Sequence, residues 1–374
     1  MPKVQFGDVA RECRENYKGD QTGMPVVGLE HLEPETMTLH AWGTSADNNF
    51  TKCFHKGQVL FGRRRAYLKK AVVAPFDGIC SGDITVIEAK ADILNPELLP
   101  FIVQNDDFFR FAVGHSAGSL SPRVKWEHLQ NYEFTLPSMA EQDELVELLR
   151  AMERTKNAYK ELIIKTDELV KSQFVEMFGD KQSGFKYPCS KVQELTDVCS
   201  GGTPDRNNAE YWEGGTIPWV KTTELQNNVI NIVDEHITEK GLADSSAKLV
   251  PAGSILIAMY GQGKTRGMTA YLGIEASTNQ ACACILPTEK IDMVFMWQYF
   301  VNSYNELRNL AKGSNQANLN AGMIKSFPVP VPPIELQKQY SAFVAQADKS
   351  KFAAQQALAD LTATQKALMR QYLG

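Results

Sequence analysis

Arg63, Arg64, Arg65, Tyr67, Lys69 and Lys70 crowd one short stretch of the chain. A second, glycine-rich stretch carries Tyr260, Gln262, Lys264, Thr265 and Arg266. Lys and Arg hold phosphates, Arg takes a guanine edge through two hydrogen bonds, and Gln or Asn takes adenine in the same way. Each stretch is followed by a serine-centred turn with more polar groups: Ser81 with Asp83, then Ser277 with Asn279 and Gln280. The chemistry these residue types offer is reversible contact with a nucleic-acid duplex. Either loop alone reads better as a solvated charged hairpin. Two of them at matched positions bring DNA contact level with that reading.

Other groupings suggest catalysis. Asp77, in "PFD", precedes Glu88 and Lys90, in "EAK". That spacing suits a metal-dependent nuclease in which the two carboxylates hold Mg²⁺ and Lys90 assists the water. At an offset of 196 the partners are Gly273, Cys284 and Leu286, so the carboxylates do not recur. "GQGKT" at 261–265 lacks the first glycine of a phosphate-binding loop, since Ala258 stands there. "NPEL" at 95–98 lacks the second proline and the aromatic of an adenine-methyltransferase motif, and Pro96 reads as a helix start. The six histidines form no clear pair with an acid or thiol. The seven cysteines include no CxxC pair, which argues for reduced thiols and against structural zinc.

What positions the two basic loops is a duplication. Phe327, Val331, Pro332, Ile334 and Gln337 match Tyr132, Leu136, Pro137, Met139 and Gln142, all at an offset of 195. Gly57 matches Gly253 and Ser81 matches Ser277 at 196. A fixed offset over many positions means repeated architecture. In each copy a glycine turn, an apolar strand, a basic loop, another strand and the serine turn follow in order. Short helices are expected near 96–112 and 292–311.

After Pro137 and Pro332 the pattern turns helical. Leu145, Leu148, Leu149, Met152, Tyr159, Leu162, Ile163, Leu169 and Phe174 recur at steps of three and four in the first arm. Each arm, near forty residues, would reach ~60 Å at the helical rise, a length that favours coiled-coil pairing of the two. The predicted organisation is 1–137 globular, 138–180 helix, 181–332 globular and 333–374 helix. The fold class is α/β (α+β), two similar globular domains joined by two long antiparallel helices.

The net charge is −5, but 138–180 holds ten acidic residues against six basic, leaving the globular parts nearly neutral. Local patches then decide whether phosphate is held. No apolar run is long enough to span a membrane, and the N-terminus lacks a signal-peptide core. A cytoplasmic protein is expected.

Two similar units on a rigid helical pair suit DNA, whose equivalent faces recur every ~34 Å. "SGGTPDRNNAEYWEGGTIPWVKTTEL" (200–225), "AKLVPAGSILIAMYGQGKTRG" (247–267) and "ASTNQACACI" (276–285) resemble a target recognition domain of the specificity subunit of Type I restriction-modification enzymes. "GSNQANLNAGMIKSFPVPVPPIELQKQ" (313–339) resembles that family's passage into a spacer helix, and the first half is similar more loosely. The resemblance implies that each domain reads half of a split, asymmetric site through the major groove. It implies helices that act as a ruler and dock two methyltransferase subunits carrying S-adenosylmethionine, with ATP- and Mg²⁺-dependent restriction subunits joining them. It implies no catalysis and no cofactor in this chain. It adds Arg206, Lys221, Thr222 and Thr223 to the candidate contacts. Trp212 and Trp219 read better as core than as base-stacking groups. Gly202, Thr203 and Pro204 read as loop-shaping. Gly118 and Ser119, like Gly313 and Ser314, read equally as a plain turn or a phosphate contact. A scaffold without DNA remains the second non-catalytic reading.

Overall fold

A computed structural model describes residues 2–44, 49–261, 263–311 and 318–374. The chain divides into two compact units, Met1–Glu161 with Ala354–Gly374, and Leu162–Ala353.

In unit 1 the strand Lys3–Gln5 closes antiparallel on Glu133–Thr135. One helical turn, Phe6–Val9, follows and buries Phe6 and Val9, with the Gln5 amide donating to Asp8 at 3.2 Å. Four antiparallel strands come next, in the order Ala10–Cys13, Ile84–Ala89, Val59–Gly62, Ala71–Val73. The strand Val59–Gly62 is buried along its whole length, as a sheet covered on both faces requires. Successive side chains alternate between two cores. Val59, Phe61, Ala71 and Ile87 meet the helices Leu99–Gln104 and Asp106–Gly114 through Phe101, Phe108 and Phe109. Leu60, Val72 and Val86 meet Val27, Leu32, Phe54 and Cys80. Those belong to or flank a second sheet, Gly43–Thr44, Pro25–Val27, Gly78–Cys80, Lys52–Phe54, in which the middle pair is parallel.

Unit 2 repeats this plan. Cys189–Lys191 closes on Pro328–Pro330, and the turn Val192–Leu195 follows, with the Lys191 amide donating to Glu194 at 3.0 Å. The main sheet runs Val198–Ser200, Cys282–Ile285, Ile255–Ala258, Thr269–Leu272, with Asn228–Ile230 added in parallel at the far edge. The second sheet pairs Ile217–Val220 in parallel with Ser277–Thr278 and antiparallel with Glu235–Ile237. Ile255 and Ile257 face the helix Met293–Asn302, while Leu256 and Ala258 face Val220 and Val250. Gly57 and Gly253 open their strands at φ +89° and +87°, a left-handed turn that a Cβ would strain.

Strand register refines the repeat. Val59 lies opposite Ile87 and Ile255 opposite Ile285. The equivalent of Glu88 is therefore Leu286, and Cys284 corresponds to Val86. The shift arises because unit 2 spends two more residues between its turn serine and the next strand, and Asn279 and Gln280 sit in that longer turn. The chain after Pro96 makes a turn, with Leu98 N–H donating to Asn95 O at 2.9 Å, and the helix begins at Leu99. Pro96 thus precedes the helix by a turn, and Pro100 is the proline inside its first turn.

Two forty-residue helices, Met139–Phe178 and Ile334–Leu373, complete the chain. Proline disfavours helical backbone in the residue before it, so Pro137 before the first helix and the prolines up to Pro333 before the second keep the strand side extended until the helix starts. Ser138 and Glu141 cap the first helix, with Ser138 N and Oγ both donating to Glu141 at 2.8 Å. Within unit 1 the segments run antiparallel: Lys156 donates to Gln365 at 2.8 Å, and Leu145 and Leu149 share a core with Met369 and Leu373. Within unit 2 Lys351 pairs with Asp167 at 2.6 Å and Tyr340 Oη donates to Val170 O at 3.1 Å. Leu145, Leu149 and Phe174 are buried, whereas Leu148, Leu162 and Leu169 are about half exposed. The apolar spacing in sequence is wider than the stripe that packing covers. No helix of the described residues is long and apolar enough to cross a membrane.

Candidate nucleic-acid interface

In unit 1 the basic loop links the strands Val59–Gly62 and Ala71–Val73 through a single 3₁₀ turn, Ala66–Leu68. Arg65 and Lys69 flank that turn at φ +55° and +49°. Glu35, at φ +56°, donates its amide to Lys69 O at 3.1 Å. Three non-glycine residues in left-handed backbone meet at one loop, each storing about 1–3 kcal/mol of the kind of strain found at functional sites. The turn thrusts out Tyr67, which is 56% exposed.

Asp83 organises the rest. Arg123 grips its carboxylate through Nε at 2.6 Å and Nη2 at 3.1 Å, and Arg64 approaches at 3.6 Å. Arg123, then the charges of Arg64 and Arg63, hold the Asp83 carboxyl below its ordinary range. Arg64 also donates to Ser121 Oγ at 3.0 Å, the Arg65 amide donates to Pro122 O at 2.8 Å, and Asp83 N donates to Ser81 Oγ at 3.2 Å. The turn at 115–123 is thereby bound to the basic loop, with Gly118 at φ +115° and Leu120 almost fully exposed at its tip. Lys69 pairs with Asp106 at 2.7 Å and Glu35 at 3.3 Å, and Lys70 Nζ donates to Leu29 O at 2.7 Å. The exposed reach of this surface therefore falls to Arg65 and Tyr67, with Arg63 and Arg64 half-buried behind them. Ser81, Asp83, Lys69 and Lys70 act as braces.

The second basic loop joins Ile255–Ala258 to Thr269–Leu272. Among its described residues Gly261, Gly263 and Gly267 take positive φ. Tyr304 Oη donates to Lys264 O at 2.7 Å, and Arg308 donates to Arg266 O at 2.9 Å and to Tyr304 Oη at 3.0 Å. Tyr260 and Lys264 are exposed, Thr265 and Arg266 are half-buried, and Gln262 lies outside the described residues, as do Gly313 and Ser314. In the serine turn Asn279 N donates to Val220 O at 3.0 Å and its Oδ1 accepts from Ala281 N at 3.2 Å. Gln280 accepts from Thr203 Oγ1.

Arg206 stacks against aromatics with its side chain still 48% exposed, its guanidinium 3.8 Å from the Trp212 ring centre and 4.5 Å from that of Trp219, and it pairs with Glu235. Lys221 pairs with the same Glu235 at 3.0 Å and with Asp234 at 3.4 Å. Thr222 and Thr223 open the 3₁₀ turn that follows. Trp219 is buried and donates its indole N–H to Gly202 O at 3.0 Å, so it belongs to the core.

The three nuclease candidates are not gathered. Asp77 accepts from Lys56 N at 2.7 Å and pairs with His55 at 3.3 Å. Glu88 is held at 2.8 Å by Arg11, its register partner on the next strand. Lys90 Nζ donates to Gly7 O at 2.8 Å. Among the described residues no cluster of three His, Cys, Asp or Glu could hold a metal.

A family model described as "Type I restriction modification DNA specificity domain" matches residues 14–166 and again 189–361. The chain belongs to this family. It is a non-catalytic DNA-recognition family, and the double match is the duplication seen in the two units. The specificity subunit of the Type I restriction enzyme EcoR124I/EcoR124II of Escherichia coli is 30% identical over 149 residues, 39% of this chain and 37% of that protein. The MjaIX specificity subunit of Methanocaldococcus jannaschii is 27% identical over 166 residues, 42% and 37% of the two chains. These alignments thus span little more than a third of either curated relative. In fold, the chain resembles the Type I restriction-modification S subunit of M. genitalium, at TM-score 0.59 and 12% identity over 100% of this chain and 96% of that one. A chain from a structural study of complex assembly and conformational transition in a type I R-M system gives TM-score 0.59 at 19% identity, covering 98% and 96%.

Arg123, Ser121, Tyr304, Arg308 and Glu235 are the braces that sequence reasoning missed. All are remote in sequence from the loops they hold, and no periodicity marks them. The one available signal was the repeat, since Tyr304 and Arg308 lie on the helix that follows the same strands in each copy.

Proposed function

We propose that this chain reads a split, asymmetric duplex DNA site, unit 1 taking one half and unit 2 the other. The observation that carries this reading is the cross-braced basic loop at the same place in two copies of one topology, in a chain of the DNA specificity family. Arg65 and Tyr67 reach toward DNA from unit 1, with Tyr260, Lys264 and the Asn279–Gln280 turn doing so from unit 2. The two forty-residue helices set the unread gap. Two methyltransferase subunits, carrying S-adenosylmethionine, and restriction subunits, using ATP and Mg²⁺, dock on the chain and supply the chemistry. The work is cytoplasmic, on chromosomal and incoming DNA.

Mapping methylated adenine across the source genome, with and without the gene, tests the proposal. Loss of one split motif with a fixed internal gap supports it and gives both half-sites at once. If the motifs are the same in both strains while a methyltransferase is being expressed, the proposal fails.

A further inference from the structure

Cys199 and Cys284 stand directly opposite each other on the neighbouring antiparallel strands Val198–Ser200 and Cys282–Ile285. Two residues to one side Gly201 N donates to Cys282 O, and two to the other Leu286 N donates to Asp197 O. The cysteine pair therefore takes a hydrogen-bonded position of the ladder, where opposed Cα atoms lie about 5.5 Å apart. That separation falls inside the Cα range a disulfide spans, and closing the bond must draw together Cβ atoms that a hydrogen-bonded pair holds at the wide end of their cross-strand spacing. Cys284 is buried and Cys199 half-buried, so a small reagent meets Cys199 first. In unit 1 the equivalent position pairs Cys13 with Val86, and the arrangement is absent there.

The two thiols are unlike in reactivity. A hydrogen bond from Cys284, then the charges of Lys248 and Lys325, hold the Cys199 thiol down to about 6 against the opposing effect of burial. Cys284, as donor and deeply buried, is pushed well above the ordinary thiol range. Of the two, Cys199 is the thiol held low and the one nearer solvent, so it is the one that supplies the nucleophilic thiolate.

We propose that Cys199 and Cys284 are a redox modification site that closes into an intramolecular disulfide by exchange with a small-molecule disulfide of the glutathione type. The Cys199 thiolate attacks one sulfur of the oxidant, forms a mixed disulfide and expels one glutathione thiolate. Cys284 gives up its proton, and its sulfur attacks the Cys199 sulfur, forming the Cys199–Cys284 bond and expelling the second glutathione thiolate. Two electrons pass from the cysteine pair to the oxidant; the Cys284 proton goes to one released thiolate, and the other carries away the charge that Cys199 held. The bond fastens Val198–Ser200, the edge strand of the main sheet in unit 2, at the stem of the loop that carries Arg206. Gly202, two residues beyond that strand, already donates to Thr278 O at 2.9 Å, next to Asn279 and Gln280.

The test uses the full-length chain equilibrated in mixtures of reduced and oxidised glutathione, denatured, alkylated and weighed intact, with peptide mapping of each site. At high oxidised glutathione the wild type should lose two hydrogens and keep five of its seven cysteines alkylatable, Cys199 and Cys284 being the protected pair. C284S should stop at the mixed disulfide, with one glutathionyl group on Cys199. C199S should form neither product. If Cys199 and Cys284 of the wild type stay alkylatable while glutathione adds to the exposed Cys189, the site is not redox-active and the proposal is wrong. Lack of trapping at Cys199 in a folded C284S variant also overturns it. Neither readout depends on DNA recognition, so failure here leaves the proposed function standing.

Discussion

Gln142 and Gln337 are buried in their respective units and make the same two hydrogen bonds. Gln142 Nε2 donates to Pro137 O at 3.0 Å, and its Oε1 accepts from Asn95 N at 2.8 Å. Gln337 Nε2 donates to Pro332 O at 2.7 Å, and its Oε1 accepts from Asp292 N at 2.8 Å. Each glutamine ties the proline that ends a strand, the first turn of a long helix and the approach to a short core helix into one knot. Replacing either by alanine strands a buried carbonyl and a buried amide, at about 1–3 kcal/mol. Gln142→Ala and Gln337→Ala should lower urea-unfolding stability by similar amounts. A loss at one site alone would show that the repeat is geometric but not energetic.

Arg65 is the exposed cation of the unit 1 loop. Arg65→Ala should reduce the salt dependence of binding to cognate duplex by about one phosphate contact. The loss should fall on the half-site read by unit 1. Binding isotherms over a salt series check this, and an equal effect on both half-sites would break the assignment of one unit to one half.

Tyr304 and Arg308 hold the unit 2 loop by its carbonyls. Tyr304→Phe removes the bond to Lys264 O and should cost about 1 kcal/mol in loop order. Methylation of sites altered in the unit 2 half should become more permissive while the unit 1 half keeps its stringency. Genome-wide methylation in a strain carrying this variant reads both halves together.

Acid should weaken unit 1 through Asp106. Lys366 at 2.8 Å, and then Lys69 at 2.7 Å, hold its carboxyl down to about 2. A carboxyl with a depressed pKa contributes stability that is full above its ordinary range and is lost as pH falls from about 4 toward 2. Both lysines are partly in water, so the contribution is about 1 kcal/mol. Thermal unfolding of Asp106→Asn should show that loss at neutral pH and a flatter decline in the acid range; an unchanged acid limb would remove Asp106 from the account.

Much of the frame was legible because it is local or repeated. Pro137, and the prolines ending at Pro333, each followed by a 3.6-residue pattern, marked both long helices, and glycine turns bracketed the strands around both basic loops. The division of labour within the loops was not legible. Arg63 to Lys70 look alike in sequence, yet Asp83 and Asp106 turn some of them into braces and leave Arg65 and Tyr67 outward. Nothing in the sequence around Arg206 announces that its guanidinium stacks on Trp212 and pairs with Glu235 while the side chain stays half exposed. Such roles depend on partners tens of residues away, which spacing does not encode. The repeat offset also slipped by two in one turn, and only strand pairing revealed it.

Each unit begins and finishes on the same pair of strands: Lys3–Gln5 against Glu133–Thr135, and Cys189–Lys191 against Pro328–Pro330. Everything that faces outward is strung between two ends that are already fastened. An insertion or exchange in a recognition loop therefore need not disturb the point at which the chain leaves for its long helix. The two fastened ends make each such stretch a cassette, closed at its base whatever the length of the chain between them.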